Sequence, residues 1–136
     1  MILVDTSAWV DYLRDRRTVV AKAVSTLIEQ DAELATTEPV IMELLAGADT
    51  PARGEAFERL ANGLPLLGID PRLDFRAAAG LYSEARRDGR TIRSLINCLI
   101  ACVAIRHDVP LLHKDADYDV ISKISPLHIH TILGER

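Results

Sequence analysis

Met1-Ile-Leu-Val-Asp5-Thr-Ser7 is the stretch from which the fold is read. Ile2-Leu-Val4 is short and wholly apolar, the pattern of a strand buried on both faces and so of a parallel sheet. Asp5, Thr6 and Ser7 follow it directly, and all three are helix N-cap residue types. Residues 7–14 then read as a first helix, so the chain opens as a β–α unit.

The alternation continues outward. Val20, Val24, Leu27 and Ile28 recur at helical spacing within residues 17–30. Leu34-Ala35-Thr36 reads as a second strand. Glu38-Pro39 opens a third helix with proline in its first turn, an apolar stripe of Val40, Ile41, Leu44 and Leu45, and Gly47 at the C-cap position. Residues 51–62 read as another helix, weakened by Gly54, and residues 64–69 as a buried strand despite Pro65. Pro71 starts a long helix that runs to about Asp88, where Gly89 stops it. Residues 94–106 form a strongly apolar helix with Leu95, Ile96, Leu99, Ile100 and Val103 on one stripe. Pro110-Leu-Leu-His113 is a strand, residues 115–122 a short helix, and residues 127–132 alternate like an edge strand.

Short strands separated by helices predict an α/β fold whose central, mainly parallel sheet is covered on both faces. In such sheets functional residues gather beyond the carboxyl ends of the strands. That rule selects Asp5, His113, Lys114, Asp115 and Asp117.

The bulk properties set the frame. A chain of 136 residues, 49% hydrophobic and 26% charged, predicts one domain over 1–136 with a substantial core. No run approaches the roughly 18 apolar residues of a membrane span. The amino terminus lacks the basic segment of a signal peptide, and two cysteines cannot build a disulfide scaffold, so a reduced cytoplasmic setting is expected. A net charge of −4 excludes a broadly basic nucleic-acid clamp. A nuclease stays open, because bound cations can supply positive charge locally.

The acidic and amide residues carry the chemistry. Asp5 ends the first strand, and Asp115 and Asp117 follow the strand ending at His113. Glu43 and Asn97 lie on helices, each roughly 130° from the centre of its helix's apolar stripe at about 100° per residue. Taken alone, Asp5 is a helix cap, Glu43 a solvated helix residue, Asn97 a partly exposed amide, and Asp115 and Asp117 caps or turn residues. As a set on one rim of a parallel sheet, they suggest a metal centre. Clustered carboxylates resist joint ionisation. A divalent cation removes that conflict, and Mg²⁺ favours oxygen ligands and phosphate oxygens. Phosphodiester hydrolysis is the natural chemistry for such a cluster.

At these residues the sequence resembles a known family. Met1-Ile-Leu-Val-Asp5-Thr-Ser7, Thr37-Glu-Pro-Val-Ile-Met-Glu43-Leu-Leu-Ala-Gly47, Arg93-Ser-Leu-Ile-Asn97-Cys-Leu-Ile-Ala101 and Leu112-His-Lys-Asp115-Ala-Asp117-Tyr118 look like the successive motifs of PIN domains. More narrowly, they resemble the VapC-type toxins of bacterial toxin–antitoxin pairs. The likeness runs through the whole chain in order. It implies a three-layer α/β/α sandwich, Mg²⁺- or Mn²⁺-dependent endoribonuclease activity, a homodimer, and a cognate antitoxin that covers the site. Asp5, Glu43 and Asp115 match acidic positions, with Asp117 auxiliary, and Thr6 or Ser7 matches a hydroxyl position near the metal. Asp5, Asn97 and Asp115 are the expected metal ligands. The third acidic position is normally Asp and here is Asn97, which implies weakened metal binding and much reduced cleavage. A natural Asn and an inactivating substitution both fit, and the intact flanking motif favours the second.

Ser7, Arg90 and Arg93 are the candidate RNA contacts, the two arginines set to reach phosphates. Cys98 and Cys102, four residues apart on one helical face, read as buried small hydrophobes, since a zinc pair needs two further ligands. His128 and His130, on one side of a strand, and Trp9 and Tyr12, after the first motif, read as structural. Helices 17–30 and 38–46 are expected to supply an apolar groove for an antitoxin helix. Two rivals stand beside the nuclease. One is a phosphoacceptor domain with Asp5 and Lys114, which needs further acidic residues beside Asp5. The other is a non-catalytic RNA- or antitoxin-binding scaffold, which Asn97 favours.

Overall fold

A computed structural model describes residues 1–132. Strand β1 (Ile2–Val4) is central, with β2 (Leu34–Ala35) on one side and β3 (Leu111–Leu112) on the other, all parallel. Leu3 pairs with Ala35 across one seam and with Leu111 across the other. Leu3 and Val4 are both 0% exposed. Consecutive strand residues face opposite ways, so helices cover both faces, as the apolar run predicts.

Helices α1 (Thr6–Leu13) and α2 (Val19–Glu29) connect β1 to β2. Helices α3 (Glu38–Ala46), α4 (Pro51–Asn62), α5 (Asp74–Arg87) and α6 (Leu95–His107) lead from β2 to β3, and α7 (Ala116–Ile124) follows β3. The chain steps outward from β1 to β2, then back across β1 to β3. Right-handed crossovers in opposite directions lie on opposite faces, which gives the three-layer α/β/α arrangement.

Two expected strands are reduced to single bridges. Residues 64–69 do not form a buried strand. They touch the sheet only where Leu66 bridges Thr36, and Leu66 is 53% exposed. Thr36 N–H donates to the Pro65 carbonyl and Leu67 N–H to the Thr36 carbonyl, and there the ladder ends. Pro65 has no N–H to extend it, and this position is the edge of the sheet. Residues 127–132 do lie at the opposite edge, through a parallel bridge between Leu111 and Ile129.

Helix faces depart from the expected stripes in two places. Ile28 on α2 is 42% exposed, and Leu95 on α6 is 57% exposed. Asn97, placed by its angle off the core stripe, is only 6% exposed. The cause is that α6 is packed nearly all round, with Cys98, Ile100, Ala101, Val103 and Ala104 at 0%. A helix in the middle of a layer has no solvent face for a stripe to define. Helix α5 begins at Asp74 and not at Pro71, because the Asp70 N–H donates to Asp74 Oδ2 at 2.7 Å and holds the intervening residues in a turn.

Asp74 is 2% exposed and takes two hydrogen bonds from Arg106, Nε to Oδ1 at 2.9 Å and Nη2 to Oδ2 at 2.8 Å. Arg106 also donates to the Gly68 carbonyl at 2.7 Å, so one guanidinium ties α6 to α5 and to the loop before it. Burial would raise the Asp74 carboxyl, but Arg106, the Asp70 N–H and the charge of His107 hold it below its ordinary value of 3.8. A depressed carboxyl stabilises the fold above its unfolded value and loses that contribution as pH falls through its folded value. We expect Arg106→Ala to cost about 3–5 kcal/mol in urea unfolding near neutral pH, from stranding a buried charge. The loss should shrink as pH falls through the folded value of Asp74, where its carboxylate becomes protonated and the ion pair is lost in the parent protein as well. A loss below about 1 kcal/mol at neutral pH contradicts the clamp.

Candidate active site

Three helices start beside the carboxyl edge of the sheet, and each start is wrapped around an aspartate. Asp5 caps α1, its Oδ2 accepting from Ser7 N–H at 3.0 Å and Ser7 Oγ at 2.5 Å. Asp115 caps α7, its Oδ1 accepting from Asp117 N–H at 2.9 Å. Helix α6 gets no capping bond from its own N-cap, Ser94. Asp117 supplies it from α7, accepting from Arg93 N–H at 3.0 Å and Ser94 N–H at 3.1 Å. Backbone N–H groups and the positive ends of three helices therefore face one acidic cluster. The bland reading of these aspartates as caps and the functional reading describe the same side chains.

Glu43 comes from α3, and Thr6 Oγ1 donates to it at 2.7 Å. Burial pushes the Glu43 carboxyl up. The Thr6 hydroxyl opposes that, and the charges of Asp5 and Asp115 push further, leaving it above its ordinary 4.5. Asp5 and Asp115 thus lie close enough to Glu43 for their charges to act on it.

Asn97 and Tyr118 fill the space between them. Asn97 Nδ2 donates to Asp115 Oδ2 at 3.0 Å and to Asp117 Oδ2 at 2.9 Å. Tyr118, 0% exposed, places its hydroxyl 2.6 Å from Asp5 Oδ1 and 3.1 Å from Asn97 Oδ1. Turning the amide over would set its oxygen against two carboxylates, so its orientation follows from the network. Asn97 therefore faces Asp115 with hydrogen-bond donors. A ligand role needs its oxygen, which lies against the Tyr118 hydroxyl.

Of the other expected residues, Ser7 and Arg93 reach the cluster. Ser7 Oγ links Asp5 to the Lys114 N–H at 2.8 Å, which joins the β1 and β3 ends. Arg93 lies over the rim, 74% exposed, with guanidinium nitrogens 3.8 Å from both Asp115 and Asp117. Arg90 is turned aside, its Nε on Asp88 at 2.7 Å. Cys98 and Cys102 are free and buried, their thiols raised by burial to about 11 and about 12, so neither is a ready nucleophile. Trp9 is a core residue at 1% exposure.

Two residues that support the site escape sequence reasoning. Tyr118 stands out only as the last residue of a motif, and an aromatic near a sheet edge gives no sign of where its hydroxyl points. Asp11 lies beneath the β3–α7 loop, 2% exposed, and accepts from Lys114 Nζ at 2.9 Å, Thr18 Oγ1 at 2.8 Å and Arg16 Nη1 at 3.0 Å. Its one signal is a charged residue three positions after buried Ala8 on the same helix face. Lys114 is thereby occupied. His113 supports the same loop, its Nδ1 accepting from Asp115 N–H at 3.0 Å.

The donor set is made of oxygens only, with uncompensated negative charge at Glu43, and that chemistry fits a hard divalent cation. Among the described residues no three His, Cys, Asp or Glu side chains form a metal shell by themselves. Such a set suits a cation that keeps most of its waters and takes one or two carboxylates. A cavity of about 490 Å³ adjoins Asp115, lined by His113, Lys114, His130, Val20 and Ile129. A groove of about 200 Å³ runs beside Glu43 between α1, α3 and α4, with Val10, Leu13, Leu44 and Phe57 in its walls. Helix α3 walls this groove, whereas α2, the other helix expected to line an apolar groove, does not reach it.

A family model described as PIN domain matches residues 2–124. The chain is 51% identical over 128 residues to Ribonuclease VapC11 of Mycobacterium tuberculosis, covering 93% of this chain and 96% of the relative. Its fold matches VapBC2 from Rickettsia felis bound to a DNA fragment from their promoter, with a TM-score of 0.73 at 17% identity over 96% of this chain and 98% of that one. It also matches VapBC-5 from Mycobacterium tuberculosis, a member of the VapBC family of toxin-antitoxin systems, with a TM-score of 0.62 at 20% identity over 96% and 97% of the two chains.

The raised Glu43 carboxyl gives a test without any ligand. A group raised in the folded state destabilises the fold where it is ionised, so Glu43→Gln should raise the melting temperature in EDTA at pH about 7, by roughly 2 °C. The gain should fade as pH drops through the folded value, where Glu43 is already neutral. Equal or lower stability at neutral pH contradicts a raised Glu43 carboxyl.

Proposed function

The chain belongs to the PIN-domain family and, within it, to the VapC ribonucleases, and from that premise we propose that it is the toxin of a toxin–antitoxin pair, an endoribonuclease that hydrolyses RNA phosphodiester bonds with Mg²⁺ or Mn²⁺. The single observation that carries this reading is the hydrogen-bonded linkage at the carboxyl edge of a parallel sheet that joins Asp5 to Asp115 through Tyr118 and Asn97, with Glu43 held beside it by Thr6. It acts in the cytoplasm as a homodimer. Its antitoxin lays an apolar segment in the groove beside Glu43 and so covers the site.

Asp5 and Asp115 would hold the cation, directly or through water, and a bound divalent ion would supply charge neutralisation at the scissile phosphate and a more acidic water. Water attacks phosphorus in line with the leaving ribose oxygen. One P–O bond forms as the other breaks, and the leaving oxygen takes a proton from solvent. Glu43 accepts the proton from the attacking water, a task for which a raised carboxyl is suited. Thr6 keeps Glu43 aimed, Ser7 keeps Asp5 aimed, and Asp117 keeps the start of α6 against the site. Arg93, exposed and only loosely paired, turns to the phosphate. Asn97 lowers activity because it withdraws a negative charge and faces the site with donors.

A second reading has one specific observation behind it. With Asn97 bound to Asp115 and Asp117, the chain is a scaffold that holds RNA or antitoxin without cutting. One experiment separates the two. Asn97→Asp should raise Mn²⁺-dependent cleavage of a mixed RNA panel by roughly 100-fold or more, EDTA should abolish it, and adding Asp5→Asn should remove it. An Asn97→Asp protein that cleaves nothing overturns the nuclease reading.

A further inference from the structure

A cluster of three carboxylates around one aspartate-capped rim needs something positive or proton-donating at its centre. In this chain the centre is filled. Asn97 gives both its amide hydrogens to carboxylates, one to Asp115 and one to Asp117, while its own oxygen faces Tyr118. The Tyr118 hydroxyl has one hydrogen and two oxygen neighbours, and the shorter contact, at 2.6 Å, is to Asp5. Both side chains are buried, Asn97 at 6% and Tyr118 at 0%, and among the described residues no buried side-chain nitrogen or oxygen lacks a partner. Three aspartates from two chain segments, Asp5 after β1 and Asp115 and Asp117 at the start of α7, are thus tied together by three hydrogen bonds from two neutral groups.

We propose that Asn97 and Tyr118 form a neutral latch that takes the place of a cation, so that the site of this chain stays assembled with no divalent metal. Each buried donor to a charged acceptor substitutes for part of the attraction a cation supplies. Exchanging Asn97 for Asp removes two donors and adds a charge beside Asp115 and Asp117, which makes the fold depend on metal. Removing the Tyr118 hydroxyl leaves Asp5 with one donor fewer and moves the fold in the same direction by a smaller step. Tyr118 is on this account a positioning residue. The inference rests on reading the acidic rim as a cation site.

The test is thermal melting of the full chain in EDTA and in excess MnCl₂, for the parent protein, Asn97→Asp and Tyr118→Phe. The parent should melt within about 2 °C in the two buffers, Asn97→Asp should gain roughly 8 °C or more from Mn²⁺, and Tyr118→Phe roughly 4 °C. If the Tyr118 hydroxyl merely packs, Tyr118→Phe lowers both melting points equally, and the latch is overturned. A parent protein that gains as much from Mn²⁺ as Asn97→Asp also overturns it. Electron paramagnetic resonance of Mn²⁺ with Asn97→Asp separates the two levels. If that variant binds Mn²⁺ while Tyr118→Phe shows no metal-dependent gain, the latch falls and the cation site stands. If it binds none, both fall.

Discussion

The conflict among like charges at the carboxyl edge of the sheet is the constraint on which the rest of the molecule depends. Burial raises the Glu43 carboxyl, the Thr6 hydroxyl opposes that, and the charges of Asp5 and Asp115 raise it further. Such an arrangement survives only where the surrounding structure opposes it. Here the opposition comes from the fold itself. Three helix starts direct N–H groups at the aspartates, and hydroxyls from Thr6, Ser7 and Tyr118 meet the remaining oxygens. The parallel topology is what makes this geometry available, since each β–α junction delivers a strand end and a helix start to the same rim.

The supports are themselves linked. Ser7 bonds both Asp5 and the Lys114 backbone, Lys114 reaches down to Asp11, and Asp11 holds the α1–α2 connection through Thr18 and Arg16. His113 and Asp117 do the same for the far side, one holding Asp115 and the other the start of α6. On the side away from the rim, Arg106 and Asp74 lock α5 to α6. The acidic side chains therefore rest on a chain of polar contacts that runs down into a tightly packed apolar core.

How far the sequence discloses this varies with the kind of signal. The β1 run Ile2-Leu-Val4 and its polar successors correctly predict a buried parallel strand feeding a helix, because apolar runs and cap residues are local features. The rim rule likewise finds Asp5 and Asp115 from the order of strands and helices alone. Residues 64–69 mislead because an apolar run does not state how many partners a strand has, and Pro65 at the sheet edge allows only one bridge. Asn97 misleads for a related reason: an angular stripe presumes that a helix has an outside, and α6 has almost none. Tyr118 and Asp11 are the hardest to read, since their roles lie in single hydrogen bonds across 113 residues of sequence in the first case and in a loop–helix bridge in the second. Arg93 and Arg90 look equivalent in sequence, and only the position of Asp88 separates them.

The central claim is that side chains far apart in sequence make one cation-holding pocket. An anomalous-scattering map from crystals of the Asn97→Asp protein soaked in Mn²⁺ tests it most directly. The account predicts a peak between Asp5 and Asp115 with Glu43 beside it. A fully occupied Mn²⁺ peak elsewhere on the surface, with none at this rim, would contradict it.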